Sequence, residues 1–177
     1  MPVAAEKLSA LEQDLLVLPK EQQLHWFMLK AKVIVQQSDY IALEQLTANA
    51  KQLLNGDFPQ SSYWNKLFQL NRLIIRKNGQ ALIRELSKLE QGVRDSANER
   101  LSAYYHRLLY QAYDIQDIWD LSLDNALVNQ REWQKLNEPY FALVAKIAIV
   151  DLSANLQGFT GAYMTLKKAQ VAAEQLN

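Results

Sequence analysis

Apolar residues recur at three- and four-residue spacing along most of the chain, the period of one face of an α-helix, and the pattern breaks at short polar signals. The stretch QQSDYIALEQLTANA, Gln36 to Ala50, shows the grammar: one helical pattern stops at Ser38-Asp39 and another restarts at once, which predicts a tight helical hairpin. Read this way, the chain predicts nine helices. The first covers about Ala4 to Val17, and Pro19 fits the first turn of the second, which runs to Gln37. Asp39 caps a third helix that extends to Asn55, with Gly56 closing it ahead of the breaker DFPQSS. Ser61 or Ser62 opens a fourth, the turn dipeptide Asn78-Gly79 ends it, and a fifth continues to about Gln91. The tetrad SANE, Ser96 to Glu99, has capping-box spacing and opens a sixth helix, which yields near Tyr113-Asp114 to a seventh ending around Lys135. Asn137 caps the eighth with Pro139 in its first turn, and Gly158 separates the eighth from the ninth.

Turns near Ser38, Asn78, Asp114 and Gly158 pair helices two to nine into four hairpins, residues 19–56, 60–93, 96–135 and 137–177, with 1–18 as a leader or cap on a single domain, 1–177. A lone helical hairpin cannot bury its apolar face. Stacking such units is the physical reason to repeat them.

The segment WFMLKAKVIVQQSDYIALEQLTANAKQLL resembles a tetratricopeptide repeat, with Phe27, Ala31 and Ile34 on its first helix, SDY at the turn and Ala50 late in the second. The last unit is similar, with Gly158-Phe159 at the turn and Ala162 and Ala169 seven apart; Leu43, Leu82 and Ile118 stand where the family wants a small residue. The resemblance covers about half the chain. It implies an all-α fold of stacked hairpins in a right-handed superhelix whose concave groove binds a protein or peptide, as in scaffolds and sensor segments of bacterial regulators. Aligning the four turns places Lys32, Asn71, Arg107 and Asp151 in one polar column, and Gln36, Gln111 and Asn155 in a second that Ile75 interrupts. Polar side chains in such columns would bond the backbone of an extended ligand. They are equally what the solvated side of amphipathic helices looks like.

Composition narrows the chemistry. The chain of 177 residues has 19 basic and 19 acidic side chains, so no net field draws it to nucleic acid. With no cysteine, disulfides and thiolate chemistry are excluded. The start, MPVAAEKLSALEQDLL, lacks the basic head and uncharged stretch of a secretory signal, and the most apolar window, YFALVAKIAIVDL, contains Lys146 and Asp151 and reads as a buried helix. A cytoplasmic protein with no membrane partner is the expectation.

AYYHRLLYQAY concentrates Tyr104, Tyr105, His106, Tyr110 and Tyr113 in three turns. Tyr105 with Leu108-Leu109 has core spacing, whereas Tyr104, Arg107 and Tyr110 share another face and could line the groove. His25 and His106 are the only imidazoles and neither has a ligand or triad partner nearby in sequence; the five glycines form no phosphate loop. No enzyme, cofactor or metal is expected. Asp114, Asp117, Asp120 and Asp124 fall at spacings that align carboxylates along one helix, with the first two at its start, where the helix dipole favours them. A basic partner or a divalent cation is the sharper alternative. Of four tryptophans, Trp133 is the one expected at the surface, where it could anchor a homodimer. The sequence thus predicts a non-catalytic binding module using Lys32, Gln36, Asn71, Tyr104, Arg107, Tyr110 and Gln111; a domain sensing a small molecule or signal peptide, and a structural homo-oligomer, are the alternatives.

Overall fold

The computed structural model describes residues 15–54 and 58–157, together with positions 166, 170, 171, 173 and 174. Among these residues all regular structure is helical: a 3-10 turn at Leu15–Val17, then α1 (Lys20–Gln37), α2 (Tyr40–Leu53), α3 (Ser61–Ile75), α4 (Gly79–Ser87), α5 (Glu90–Asp95), α6 (Glu99–Ile115), α7 (Trp119–Lys135) and α8 (Pro139–Gln157). Among the described residues there are eight α-helices, against nine expected for the chain. The leader helix, apart from that 3-10 turn, the Gly56 closure, and the ninth helix with Gly158-Phe159, Ala162 and Ala169 lie outside the described residues. The expected fifth helix is two: Ser87 Oγ donates to the Ile83 carbonyl (3.0 Å), and Leu89 N–H bonds Leu86 O (2.9 Å) in the tighter i→i−3 manner. Such side-chain competition and 3-10 bonding bend a helix, here breaking it between Ser87 and Glu90.

The hairpin at Ser38-Asp39 forms as its residues require. Ser38 takes left-handed φ (56°), Asp39 N–H reaches back to Ile34 O (3.2 Å), and Asp39 Oδ1 then accepts from Ala42 N–H (2.9 Å) to start α2. Two residues thereby end one helix and cap the next. The left-handed residue recurs at Gln60, ahead of α3, and then at Lys77, Ala97, Asp117 and Asn137, four corners spaced 20 residues apart. Asn78 and Asn98 repeat the role of Asp39, their Oδ1 atoms accepting from Ala81 N–H (3.1 Å) and Leu101 N–H (3.0 Å).

This corrects two caps. Asn98, not Ser96, caps α6, because Ser96 Oγ turns back to Val93 O (2.6 Å) while Ala97 (φ 50°) makes the corner. Asn137 (φ 55°) is likewise the corner residue and not the cap, with Pro139 as the first residue of α8. The aspartate stripe is broken for the same reason. Asp114 lies in the last turn of α6, Asp117 is the left-handed corner (φ 55°), and only Asp120 and Asp124 belong to α7.

The chain divides into two compact units, residues 1–76 and 77–177, so the division falls within the expected second hairpin. In the first, α1 and α3 both pack beside α2 and against each other. Leu24, Phe27, Ala31 and Ile34 of α1 meet Leu43, Leu46 and Ala50 of α2 and Trp64, Leu67 and Phe68 of α3 in the buried interior. Phe27 and Phe68 lie 6.1 Å apart. Tyr40 accepts a hydrogen bond from Arg76 Nη2 (2.7 Å), tying the start of α2 to the residue after α3.

In the second unit α6 packs against α7, α7 against α8, and α4 against α6. Two buried polar side chains fix the α6–α7 register: Ser122 Oγ donates to Tyr110 O (2.7 Å) and Asn129 Nδ2 to Ala103 O (2.5 Å). Trp133 is only 1% exposed and stacks on Phe141 of α8 at 4.7 Å. The expectation of a surface tryptophan is corrected, because α8 returns across its face. By length and composition α8 could cross a membrane, yet Phe141, Ala145, Ile149 and Leu152 are buried, with Ile149 and Leu152 joining Tyr110 and Ala126 in the core.

Gly79 is held by proximity. A Cβ there would lie 2.5 Å from the Ala112 carbonyl oxygen and 2.8 Å from Gln116 Cγ. Gly79→Ala should therefore push α4 from α6 and cost about 1–3 kcal/mol. Thermal unfolding checks it; an unchanged melting temperature would show that the two helices separate freely.

Candidate functional site

The expected site residues divide between the two units. In the first, Lys32 is half-buried and Gln36 exposed, whereas Asn71 is fully buried. The Asn71 amide donates to Leu67 O (3.2 Å) and Phe68 O (3.1 Å) of its own helix. Its expected place on a ligand-facing column is corrected: the side chain is folded back onto α3.

In the second unit, Tyr104 and Arg107 are buried, at 0% and 4% exposure, and Gln111 is half-buried. Helical spacing puts these three on one side of α6. The Arg107 guanidinium carbon lies 5.1 Å from the centre of the Tyr104 ring. No carboxylate among the described residues pairs with Arg107, and its Nη1 is buried without a hydrogen bond. One turn on, Gln111 Oε1 is also buried without a donor. Tyr110 departs from the expected groove, since it packs into the core with Ala126, Ile149 and Leu152. Burial foremost, with Asp114 adding to it and Arg107 opposing, raises its hydroxyl pKa.

Towards the C-terminal end of α6 this side opens to solvent at Asp114. Its carboxyl is raised above the ordinary value by partial burial first, then by Asp117 and by Asp151 of α8. The influence of Asp151 on Asp114 sets a carboxylate of α8 near one of α6. A raised carboxyl binds its proton more tightly in the folded state, so its contribution to stability is complete below the unfolded value and lost as pH rises through the folded one. Asp114→Asn should accordingly raise the neutral-pH melting temperature by about 1 °C, the gap closing in acid. Parallel melts across pH test this; an equal gap at every pH would contradict it.

The opposite side of α6 holds a constellation that sequence reasoning missed. His106 Nδ1 lies 3.0 Å and 3.1 Å from the two carboxylate oxygens of Glu132 on α7 and 3.1 Å from Ser102 O. Ser102 Oγ donates to the same carboxylate (2.7 Å). A carboxylate accepts, so Nδ1 carries a proton, which leaves Nε2 as the ring nitrogen not engaged by Glu132. This ring nitrogen makes no bond among the described residues. Ser102 faces the carboxylate and not Nε2, so the three groups do not form a nucleophile–base relay; they clamp α6 to α7.

Two adjoining cavities flank the clamp. One, about 330 Å³, is lined by Glu90, Arg94, Tyr105, His106, Tyr113 and Asn125 among others; the second, about 380 Å³, includes Glu99, Glu132 and Lys135, and the two share Val93, Arg94 and Ser102. At their rims Arg94 pairs with Glu90 (2.7 Å) and Lys135 with Glu99, which raises the Lys135 pKa through that bond. Tyr105 is 5% exposed, edge-on to His106 with ring centres 5.5 Å apart. Its hydroxyl pKa is pushed up to about 12, by burial first and then by Glu90 and Tyr113. It remains protonated at neutral pH. The missed partner, Glu132, lies 26 residues from His106, and the only sequence signal was their common placement on facing helices. Among the described residues no group of three metal-ligating side chains occurs.

Comparison with family models, with curated proteins and with solved structures finds no match for the chain.

Proposed function

We propose that the chain is a non-catalytic binding module of stacked helical hairpins, tetratricopeptide-like in arrangement, that holds a protein or peptide segment on the Tyr104–Arg107–Gln111 side of α6. One observation supports this above the rest: Arg107 Nη1 and Gln111 Oε1 are a buried donor and a buried acceptor, one helical turn apart, and neither is satisfied. Buried polar atoms cost free energy unless bonded, and a structure that keeps two of them unmet holds them ready for something. A peptide unit is their complement, its carbonyl taking the arginine N–H and its N–H reaching the glutamine oxygen. Asp114 and Asp151 at the open end would favour a basic residue next to that segment.

The test is affinity capture with mass spectrometry, using wild type beside Arg107→Met and Gln111→Met variants of unchanged circular dichroism. A protein captured by wild type and lost with both variants supports the reading. The same captured set from all three would remove this side of α6 from the proposal.

A further inference from the structure

Within the second unit α6 and α8 run in the same direction, and three contacts fix their register: Arg100 Nη2 donates to Glu138 Oε1 (2.7 Å) just ahead of α8, Tyr110 packs with Ile149 and Leu152, and Asp151 lies near enough to Asp114 to act on its carboxyl. That register puts Ile147, 50% exposed, level with Arg107. Helical spacing sets Ile147 on the same side of α8 as Asp151. Arg107 is the unmatched charge of this surface. A guanidinium stays protonated in a folded protein and offers five donors in one plane. Among the described residues no carboxylate pairs with Arg107, which is 4% exposed, and its Nη1 is buried without a hydrogen bond. The Tyr104 ring, 5.1 Å away, offsets only part of that cost. A backbone carbonyl from a bound segment would satisfy the Nη1 hydrogen, yet it leaves the charge without a counterion.

Resting on the peptide reading above, we infer that the bound segment is anchored by an acidic side chain whose carboxylate pairs with the Arg107 guanidinium, and that it carries a basic residue about three positions away for Asp114 and Asp151. A carboxylate matches the planar donor fork and brings the missing charge, in bonds roughly twice as strong as those to a neutral acceptor. The spacing follows from α6. Asp114 lies two turns beyond Arg107, about 10 Å along the axis, which an extended chain spans in about three residues. Between the two charges, Gln111 Oε1 takes a backbone N–H of the segment, and Ile147 favours an apolar side chain. Phosphate or another multiply charged anion is a poorer fit, because Asp114 and Asp151 would repel it at the rim.

A display library of random eight-residue segments is panned on the full wild-type chain and, in parallel, on the double variant Asp114→Asn/Asp151→Asn, which is altered only at exposed positions. Wild type should select segments that carry an acidic residue with a basic one about three positions away. The double variant should keep the acidic residue and lose the basic one. The leading segment is then synthesised with its acid and with the matching amide, and each is titrated by fluorescence anisotropy into wild type and into Arg107→Met of unchanged circular dichroism. Wild type should bind the acid about tenfold more tightly than the amide, and Arg107→Met should show no preference between them. An arginine that only shaped the fold would weaken both alike. Selected segments without an acidic residue, or a preference for the acid that survives in Arg107→Met, would overturn the acidic anchor and leave the peptide reading standing. A basic residue retained by the double variant would overturn the assignment of Asp114 and Asp151. Wild type that enriches no segment at all would remove the peptide reading itself, and this inference with it.

Discussion

Arg107→Met should raise the melting temperature by several degrees while abolishing partner capture. Two terms compete in the folded protein. The guanidinium gains from the Tyr104 ring, 5.1 Å away, an attraction of about 2 kcal/mol. Against it stands the removal of a charged group from water with no carboxylate partner among the described residues, which after relaxation still costs several kcal/mol. The second term is larger. Methionine has nearly the same reach, packs on an aromatic ring through its sulfur and leaves no polar atom to satisfy. The net gain should be about 1–3 kcal/mol, measured by thermal or denaturant unfolding. A lower melting temperature would mean that Arg107 is held in place by interactions that stabilise the fold, and the argument for a ligand on that side of α6 would lose its basis. Stability gained and binding lost in the same variant is the signature of a residue kept for a partner.

Trp133→Ala carries the second large effect, in the opposite direction. At 1% exposure, stacked 4.7 Å from Phe141, the indole joins α7 to α8, and its removal leaves a void that neighbouring helices close only in part. The cost should be about 3–5 kcal/mol, a fall in melting temperature of well over ten degrees in a unit of this size. Loss of α8 packing should appear as new protease cutting within residues 139–157. An unchanged melting temperature with altered self-association would instead restore the tryptophan to a surface role.

These two residues also show where a sequence stops informing. Helix positions followed from apolar spacing, and the Ser38-Asp39 corner and the Asn78-Gly79 turn from single side chains, because those determinants are local. Arg107 was legible as a polar residue out of pattern. That it would be buried and unmatched depends on what surrounds it, which spacing on α6 does not encode. The corner at Asp117 was hidden because DIQDIWDLSLD keeps a helical period across the break with no glycine or proline to mark it. The SANE tetrad offered a plausible cap, and a better one two residues later prevailed. His106 looked isolated because its partner comes from the next helix, and no rule of spacing within one helix connects them.

The second unit joins its helices largely in order along the chain, α6 to α7 and α7 to α8, through corners of three residues. Little chain entropy is lost in closing such short loops, so structure there can grow by local zippering instead of waiting for distant segments to meet. The same economy makes damage travel poorly. A lesion near the end of α8 would loosen the contacts it touches while the bonds from Ser122 and Asn129 continue to hold α6 against α7.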